Sequence, residues 1–391
     1  RRSCYFRKTF DLSKEIKSAY LYACARGSYV PYINGLRITD GRFLAGSMRG
    51  YTEYQIYDVS ALLENGSNAL CAYTGNGQFN CSSWGSLRYN VPAIMMQLEI
   101  EYTDGTKQNI CTDTSWDVTA SPLYDNDLQF GERYDARLEI DGWNTTGKVG
   151  GTWVKAAQAN VGTLKPFAST TYPAVKIRDE SEALSIGTVL GGEYKLYDFG
   201  TNSAGRAKIT LKNTKPGEVV IIRYCEIIDD DVPRTDVYGD VYFQKDNYAD
   251  SISPYGLRNI DVYICKGAEE EVYMPEFAYT GFRYVYIKGY SGEYTTETVK
   301  KEELNTNLAV IGDFTSSSEN LNKIWDAVKR SYRSNIVTGP TDCPTREKNF
   351  WNGDIADFVA TACWYMDNDA FLSRWTEAGE KLQYDVYGWE D

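Results

Sequence analysis

The period of the apolar pattern changes once along this chain, near residue 312. Before that point, apolar and polar residues alternate over short spans such as YFRKTFDL and GRAKITLKN, which is typical of half-buried β-strands. After it, Leu321, Ile324, Trp325, Val328 and Tyr332 recur at the spacing of one helix face, and the serines before them are expected caps. IADFVATACWYMD and DAFLSRWTEAGEKLQ show the same helical spacing. The pattern therefore predicts a long β region followed by helices.

Turn residues and a linker divide the β region into two parts. Asn-Gly at 34–35 and Asp-Gly at 104–105 mark tight turns between alternating segments, as in a jelly-roll or similar sandwich. The stretch ANVGTLKPFASTTYPAV is small, polar and proline-containing, which indicates a linker. We predict a multidomain, mainly β protein with β-sandwiches over residues 1–155 and 156–310. Residues 311–391 are predicted to be a third, helical region.

The composition excludes several classes of protein. The chain has 391 residues, of which 42% are hydrophobic and 24% charged, and this is typical of a globular protein with two or three domains. A formal net charge of −13 argues against a nucleic-acid partner, whereas a neutral sugar would not be repelled. No apolar run approaches the length of a membrane span, and the opening RRSCYFRKTF lacks the pattern of a signal peptide. Whether a leader peptide precedes this opening is a question that the sequence leaves open.

Cysteine and histidine usage limits the chemistry that the chain can perform. Nine cysteines are scattered without a CxxC pair, which indicates reduced thiols and not a disulfide framework or a zinc site. We therefore expect a cytoplasmic protein, although a periplasmic or secreted one stays compatible with this pattern. Histidine is absent, so catalytic triads, metal sites and general bases that need an imidazole are excluded within these residues.

The richest set of reactive side chains lies in residues 342–354, which read DCPTREKNFWNGD. Asp342, Glu347 and Asp354 supply three carboxyl groups, with Arg346 and Trp351 between them. Glycoside hydrolysis needs a carboxylic acid to protonate the leaving oxygen and a second carboxylate to activate water or to attack. An aromatic ring and a cation are also common in sugar pockets. The segment is therefore the candidate active site.

A structural interpretation of Asp354 competes with this one. Asp354 follows Asn-Gly and precedes a predicted helix, where acidic residues often act as N-caps or as partners of the helix dipole. Such a residue needs no catalytic role. An N-cap, however, does not require the nearby Glu347, Arg346 and Trp351.

The chain resembles bacterial α-L-rhamnosidases of glycoside hydrolase family 78 along nearly all of its length. YINGLRITD and NDLQFGERYDARLEIDGW resemble the family's N-terminal β-sandwich, and RYCEIID and PEFAYTGFRYVYIKG resemble its next sandwich. PTDCPTREKNFWNGD resembles the start of its (α/α)6 catalytic barrel. The resemblance implies two β-sandwich domains, a barrel start and inverting hydrolysis of terminal α-L-rhamnosides from a glycoside or polysaccharide. It implies no required cofactor.

The family's roles can be carried over to matching positions of this chain. Glu347 resembles the general acid that protonates the glycosidic oxygen. Asp342 and Asp354 resemble carboxylates that bind sugar hydroxyl groups, and Trp351 resembles a wall of the rhamnose pocket. Arg346 fits a supporting role in substrate binding.

Two departures from the family pattern stand out. Family members often have a histidine in the string where this chain has Thr280. The family's general base is a glutamate further along the barrel, beyond Asp391, so these 391 residues alone are expected to be inactive. Asp342 is an alternative base, which the family pattern disfavours.

Two other functions stay open at this point. The chain could be a non-catalytic carbohydrate-binding or scaffold protein, with a calcium site in its first sandwich near Asp125-Asn126-Asp127. It could also belong to an (α/α)6 hydrolase for another sugar. A homo-oligomer is compatible with the sequence.

Overall fold

The fold is known from a computed structural model that describes residues 2–45, 47–48, 51–81, 93–160, 167–168, 173–234, 259–345 and 347–382. The strands before the linker are β1 (Cys4–Leu12), β2 (Ile16–Arg26), β3 (Ser28–Ile33), β4 (Leu36–Arg37), β5 (Leu44–Ala45), β6 (Ser47–Met48), β7 (Tyr51–Asp58), β8 (Gly66–Gly75), β9 (Ala93–Tyr102), β10 (Lys107–Cys111), β11 (Asp117–Ala120), β12 (Leu123–Asp127), β13 (Gly131–Asp135) and β14 (Val154–Lys155).

The remaining strands lie in and after the predicted linker: β15 (Phe167–Ala168), β16 (Val175–Glu182), β17 (Ser185–Val189), β18 (Tyr194–Lys212), β19 (Val219–Cys225), β20 (Ile227–Asp229), β21 (Val232–Arg234), β22 (Ile260–Ile264), β23 (Glu270–Tyr273), β24 (Thr280–Lys288) and β25 (Val299–Thr306). Three helices follow: α1 (Glu319–Ser334), α2 (Asn352–Tyr365) and α3 (Asp369–Leu382). The change from strands to helices that the apolar period predicts near residue 312 is therefore confirmed.

The first β unit is a sandwich of two sheets. One sheet has the order β14-β11-β1-β8-β3-β4, with β5 also on β3. The other has the order β10-β9-β2-β7-β15, with β6 also on β7. Alternating residues such as Leu12, Leu21, Leu70 and Leu98 point between the sheets and form one buried core with Trp116.

Tight turns hold the register of this sandwich, as the sequence predicts. Asn34 and Gly35 join β3 to β4 with φ angles of 51° and 85°, the left-handed pair that a two-residue hairpin turn requires. Gly105 has a φ of 81° in the turn between β9 and β10. Both turn predictions are therefore confirmed.

The second β unit is built on one ten-stranded sheet. Its order is β12-β13-β22-β19-β24-β18-β25-β16, and β17 and β23 also pair with β18. β18 runs for 19 residues and shifts register against β24 between Asp198 and Ser203. This long strand pairs with β17, β23, β24 and β25. β12 and β13 come before the linker, and β13 pairs in parallel with β22. The chain thus enters this sheet before β14 returns to the first unit, and the domain limits drawn from the sequence stay predictions.

The two β units approach closely at one glycine. Gly75 ends β8, and a Cβ added there would lie 2.3 Å from Cγ of Phe277 in the second unit. Phe277 packs edge-on against Tyr73 with the ring centroids 4.9 Å apart, and both belong to one buried cluster with Tyr5. β8 is therefore buried on both faces, which explains its continuous apolar run.

Helix α1 forms where predicted, but its apolar face is only half buried. Tyr332 is 3% exposed, whereas Leu321 and Ile324 are 47% and 59% exposed. Near the C-terminal end of the helix, the hydroxyl of Ser334 accepts a hydrogen bond from the Ala204 amide of β18. The helix predicted from the apolar spacing is therefore confirmed, and the N-terminal part of its apolar face is exposed.

A serine occupies the N-cap position of α1, so the prediction of serine caps is confirmed for the position alone. Ser318 precedes the helix but makes no capping bond with its side chain. Instead, the amide of Ser316 donates to Oδ1 of Asn322 at 2.8 Å, and Nδ2 of Asn322 donates back to the Ser316 carbonyl at 2.9 Å. A side chain in the second turn thus satisfies backbone groups before the helix.

Buried thiols fit the prediction of reduced cysteines. Burial raises the pKa of Cys24 to about 11, and burial is also the main cause that raises the pKa of Cys71 to about 12. Both thiols therefore stay protonated and unreactive at neutral pH. Among the described residues, no helix is long and apolar enough to cross a membrane.

A buried ion pair joins helix α3 to the first β unit and gives a stability test. Nη2 of Arg374 lies 2.7 Å from Oε2 of Glu53, and Glu53 is 2% exposed. We expect Arg374→Met to lower the free energy of unfolding by about 3–5 kcal/mol, because the Glu53 carboxylate would remain buried without its cation. Urea unfolding followed by circular dichroism measures this loss.

The control is an exposed pair in the first β unit. Lys14 lies 2.8 Å from Asp104, and the two side chains are 46% and 51% exposed. Because water screens such a pair, Lys14→Met is expected to lower the free energy of unfolding far less than Arg374→Met does. Equal losses in the two variants would contradict the assigned role of Arg374.

Candidate active site

The acidic segment forms a closed loop between α1 and α2. We call residues 342–351 the acid loop. The amide of Asp342 donates to the Asn349 carbonyl at 3.1 Å, and the Asn349 amide donates to Oδ1 of Asp342 at 3.1 Å. The Lys348 amide donates to the Cys343 carbonyl at 3.2 Å. These bonds bring the two ends of the segment together, so its side chains share a small region.

Glu347 and Trp351 are in direct contact. Nε1 of Trp351 donates to Oε2 of Glu347 at 3.0 Å. Glu347 is half-buried, whereas Trp351 is 43% exposed and precedes the first residue of α2. The structure therefore places the predicted proton donor beside the predicted aromatic wall, on a side of the loop that is open to solvent.

Asp342 lies next to this pair and has an altered acidity. Burial raises the pKa of Asp342, and the negative charge of Glu347 acts in the same direction. The Cys343 thiol donates to Oδ2 at 3.3 Å and, with the Asn349 amide, partly opposes this rise. Asp342 and Glu347 thus influence each other electrostatically, as members of one site do.

Asp354 and Arg346 are less well connected to the pair. Asp354 is exposed in the first turn of α2, and the N-cap position of that helix is Trp351, without a side-chain capping bond. The N-cap interpretation of Asp354 is therefore wrong, although its charge faces the positive end of the helix dipole. Within the described ranges, no hydrogen bond or ion pair joins Asp354 to Glu347. Arg346 lies outside the described residues.

The second β unit also reaches the acid loop, which the sequence did not indicate. Nε2 of Gln129 donates to the Glu347 carbonyl, and Nδ2 of Asn259 donates to the Thr345 carbonyl at 2.9 Å. Lys348 is 1% exposed, and its ammonium group points into this unit. These residues are far from the loop in sequence, and their roles depend on strand pairings that no local pattern predicts.

One local feature could have indicated this contact. Gly281 lies in the string FAYTGFRY, and a Cβ added to it would lie 2.5 Å from Oγ1 of Thr345 and 2.6 Å from Cγ of Pro344. The Gly281 amide also donates to the Pro344 carbonyl at 3.1 Å. A glycine within a strand is a sign that another backbone approaches closely.

Two buried acids behind the loop have raised pKa values but cannot reach a substrate. Burial is the main cause that raises the pKa of Glu132 to about 8 and that of Asp261 to about 6. The Glu132 carboxyl group accepts the amides of Glu276 and Phe277, and Asp261 accepts the Tyr224 hydroxyl and the Glu132 amide. Both are enclosed by these donors, so they are structural acids and not catalytic candidates.

The oxygens of the suggested calcium segment are already bound within the protein. Asp125 pairs with Arg133 at 2.5 Å, and Oδ1 of Asp127 accepts the Gln129 amide at 2.7 Å. In the part of the chain that the structure describes, no group of three His, Cys, Asp or Glu side chains could hold a metal ion. These residues therefore do not fit a calcium ion, and a calcium site elsewhere in the first sandwich stays a prediction.

Three consecutive family models match the chain. The α-L-rhamnosidase N-terminal domain matches residues 14–179. The bacterial α-L-rhamnosidase concanavalin-like domain matches residues 189–305, and the bacterial α-L-rhamnosidase 6 hairpin glycosidase domain matches residues 309–385. The acid loop falls inside the last of these.

Curated relatives agree with this assignment. A protein named α-L-rhamnosidase from Streptomyces avermitilis is 31% identical over 93% of this chain and 34% of its own length. Another of that name from Formosa agariphila is 30% identical over 95% of this chain and 39% of its own length. The chain thus spans between a third and two-fifths of the length of these relatives.

Solved structures share the fold. An α-L-rhamnosidase from Dictyoglumus thermophilum superposes with a TM-score of 0.86 and 32% identity, over 98% of this chain and 41% of that one. The Streptomyces avermitilis enzyme, solved with L-rhamnose, gives a TM-score of 0.84 and 30% identity, over 96% of this chain and 35% of that one. The three family models, the relatives and the shared fold therefore place this chain in the bacterial α-L-rhamnosidase family of glycoside hydrolases, where it matches the N-terminal and middle part.

Proposed function

We propose that this chain is part of an α-L-rhamnosidase in which Glu347 is the general acid. The 3.0 Å contact between the Trp351 indole and the Glu347 carboxyl group carries this proposal. It brings the carboxyl group of Glu347 beside a half-exposed aromatic ring, and hydrolysis of a glycosidic bond requires a carboxylic acid that donates a proton to the leaving oxygen. The relatives named α-L-rhamnosidase support rhamnose as the sugar.

The indole contact also orients the acid. An indole N–H can only donate, so Oε2 of Glu347 accepts this bond, and in this proposal Oε1 delivers the proton. When a glycosidic oxygen lies against Oε1, the proton passes to it as the bond to the anomeric carbon breaks. The exposed ring of Trp351 forms one wall of the sugar pocket.

The other acids of the site bind the sugar in this proposal. Asp342 and Asp354 accept hydrogen bonds from sugar hydroxyl groups, and Arg346 supports them. Asp342 already accepts the Asn349 amide and the Cys343 thiol, but each carboxylate oxygen has lone pairs for a further donor. Such bonds strengthen as positive charge develops on the sugar ring in the transition state.

The general base is proposed to lie outside these residues. Inversion needs a base on the opposite face of the sugar, roughly 6.5–9.5 Å from the acid, with a water molecule between base and sugar. Asp342, Glu347 and Asp354 share one loop and one helix start, so they lie on the same side of a bound sugar. The substrate class is a rhamnose-containing glycoside or polysaccharide with a terminal α-L-rhamnosyl group.

The acid assignment is tested by Glu347→Gln in a polypeptide that carries the complete hydrolase. We expect kcat for a rhamnoside with an alcohol leaving group to fall by about 10²–10⁴-fold, because the amide cannot donate an acidic proton. Glu319→Gln, an exposed glutamate of α1, is the matched control. Unchanged turnover in Glu347→Gln would refute the assignment.

Asp342 has a distinct pH signature. Because its pKa is raised, Asp342 loses its charge at a higher pH than an exposed aspartate does as the pH falls. KM of the complete enzyme should therefore rise on the acid side, where a protonated Asp342 accepts sugar hydroxyls poorly. We expect Asp342→Asn to raise KM at neutral pH and to flatten this rise, measured as KM between about pH 4 and pH 8. A variant with the wild-type KM profile would exclude Asp342 from sugar binding.

A third test follows from the proposal that the general base lies outside these 391 residues. We expect the 391 residues on their own to release no rhamnose from an aryl rhamnoside above the buffer rate, because an acid without a base activates no water. If the 391 residues do release rhamnose and Asp342→Asn abolishes that release, Asp342 is instead the base. Reducing-sugar assays at high protein concentration make the comparison.

A further inference from the structure

Lys348 directly follows the proposed acid. Its side chain is buried away from water, where a charged group without partners would cost free energy. It is 1% exposed, and its Nζ donates to the carbonyls of Leu128 at 2.7 Å and Tyr279 at 2.6 Å and to Oδ1 of Asn259 at 2.9 Å. These acceptors come from three separate segments of the second β unit. An ammonium group has three N–H donors, so the three oxygens satisfy it without water.

The backbone at Lys348 transmits this anchoring to its neighbour. Lys348 has a φ of 51°, a left-handed conformation that a side chain rarely adopts unless the surroundings hold it there. The turn sends the Lys348 side chain into the β unit while Glu347 contacts Trp351 on the open side. Release of the ammonium group would therefore let the backbone of Glu347 relax.

Asn259 connects both sides of the acid. Its Oδ1 accepts from Lys348, and its Nδ2 donates to the Thr345 carbonyl at 2.9 Å, two residues before Glu347. Gln129 donates to the carbonyl of Glu347 itself. The peptide segment that carries the acid is thus held before, at and after residue 347 by residues that flank the strands of the second β unit.

We propose that Lys348 is a positioning residue for the general acid, acting with Asn259 to hold the Glu347 backbone against the second β unit. Lys348 does not touch the sugar in this arrangement, and its effect passes through Glu347. The inference rests on the proposed function, because it assigns Glu347 the acid role. It adds that the anchoring of Lys348 in the second β unit sets the direction in which the proton is delivered.

Protonation by a general acid accelerates the reaction most when the leaving group is a poor one. In the complete enzyme, Lys348→Met is expected to lower kcat for an alkyl rhamnoside at least about tenfold more than kcat for a dinitrophenyl rhamnoside, with little change in KM. Asn259→Gly is expected to act in the same direction more weakly. Glycine tolerates the φ of 56° at that position, so this variant removes only the side chain.

Lys301 provides the matched control. It is 3% exposed, and its Nζ donates to the carbonyls of Thr201 and Phe282 at 3.0 Å and 2.7 Å. Lys301→Met removes a similarly buried ammonium group from the same sheet. It should lower stability without changing the ratio of the two rates, as a merely structural residue would.

A second measurement uses these 391 residues without any assay of activity. Hydrogen exchange of the amides in residues 347–349 is expected to be at least about tenfold faster in Lys348→Met, and unchanged in Lys301→Met. If the wild-type enzyme cleaves no rhamnoside, the proposed function fails, and the exchange data alone decide whether Lys348 holds the loop. An unchanged exchange rate, or equal losses of kcat on both leaving groups, would overturn the positioning role.

Discussion

One ammonium group enclosed by three oxygens connects the acid loop to the β scaffold. The Nζ atom of Lys348 is bound by Leu128, Asn259 and Tyr279 at 2.6–2.9 Å in a place with almost no solvent. Removing a charge from water is costly, and this cost is offset only while all three bonds keep good geometry. The arrangement is therefore sensitive to small displacements. A loop held in this way has one preferred position, which is what a proton donor requires.

Buried or half-buried charged side chains also lie at the other junctions of the molecule. Arg37 of the first β unit lies 2.9 Å from Glu276 of the second, and Arg374 of α3 pairs with Glu53 of β7. Apolar surfaces pack in several orientations at similar free energy, whereas a paired guanidinium and carboxylate have few good geometries. With Lys348, the three junctions between the first unit, the second unit and the helices thus each contain an oriented ionic or charge-assisted contact. We infer that these contacts contribute more to the relative orientation of the parts than to their stability.

Local patterns predict much of the fold, and contacts between distant segments account for what they miss. Strand alternation, the turn at Asn34-Gly35 and the helical spacing after residue 312 each depend on neighbouring residues, and the structure has all three. The contact of Glu347 with Trp351 is similarly local, since the two residues are four apart. The contacts of Gln129 and Asn259 with the acid loop depend instead on the pairing of β13 with β22, which joins residues more than 120 positions apart.

In the proposed enzyme, the acid and the base are held by different parts of the molecule, which matters for catalysis. The acid is held by a β sheet, whereas the base is proposed to come from the helical domain. Inversion works only when the two are separated by roughly 6.5–9.5 Å, so the junction between sheet and helices sets the catalytic distance. A shift of the helices against the second β unit would change that distance even if every residue of the sugar pocket stayed in place. The oriented contacts of Lys348 and Arg374 resist such a shift, and the β units are then part of the catalytic geometry and not only carriers of the barrel.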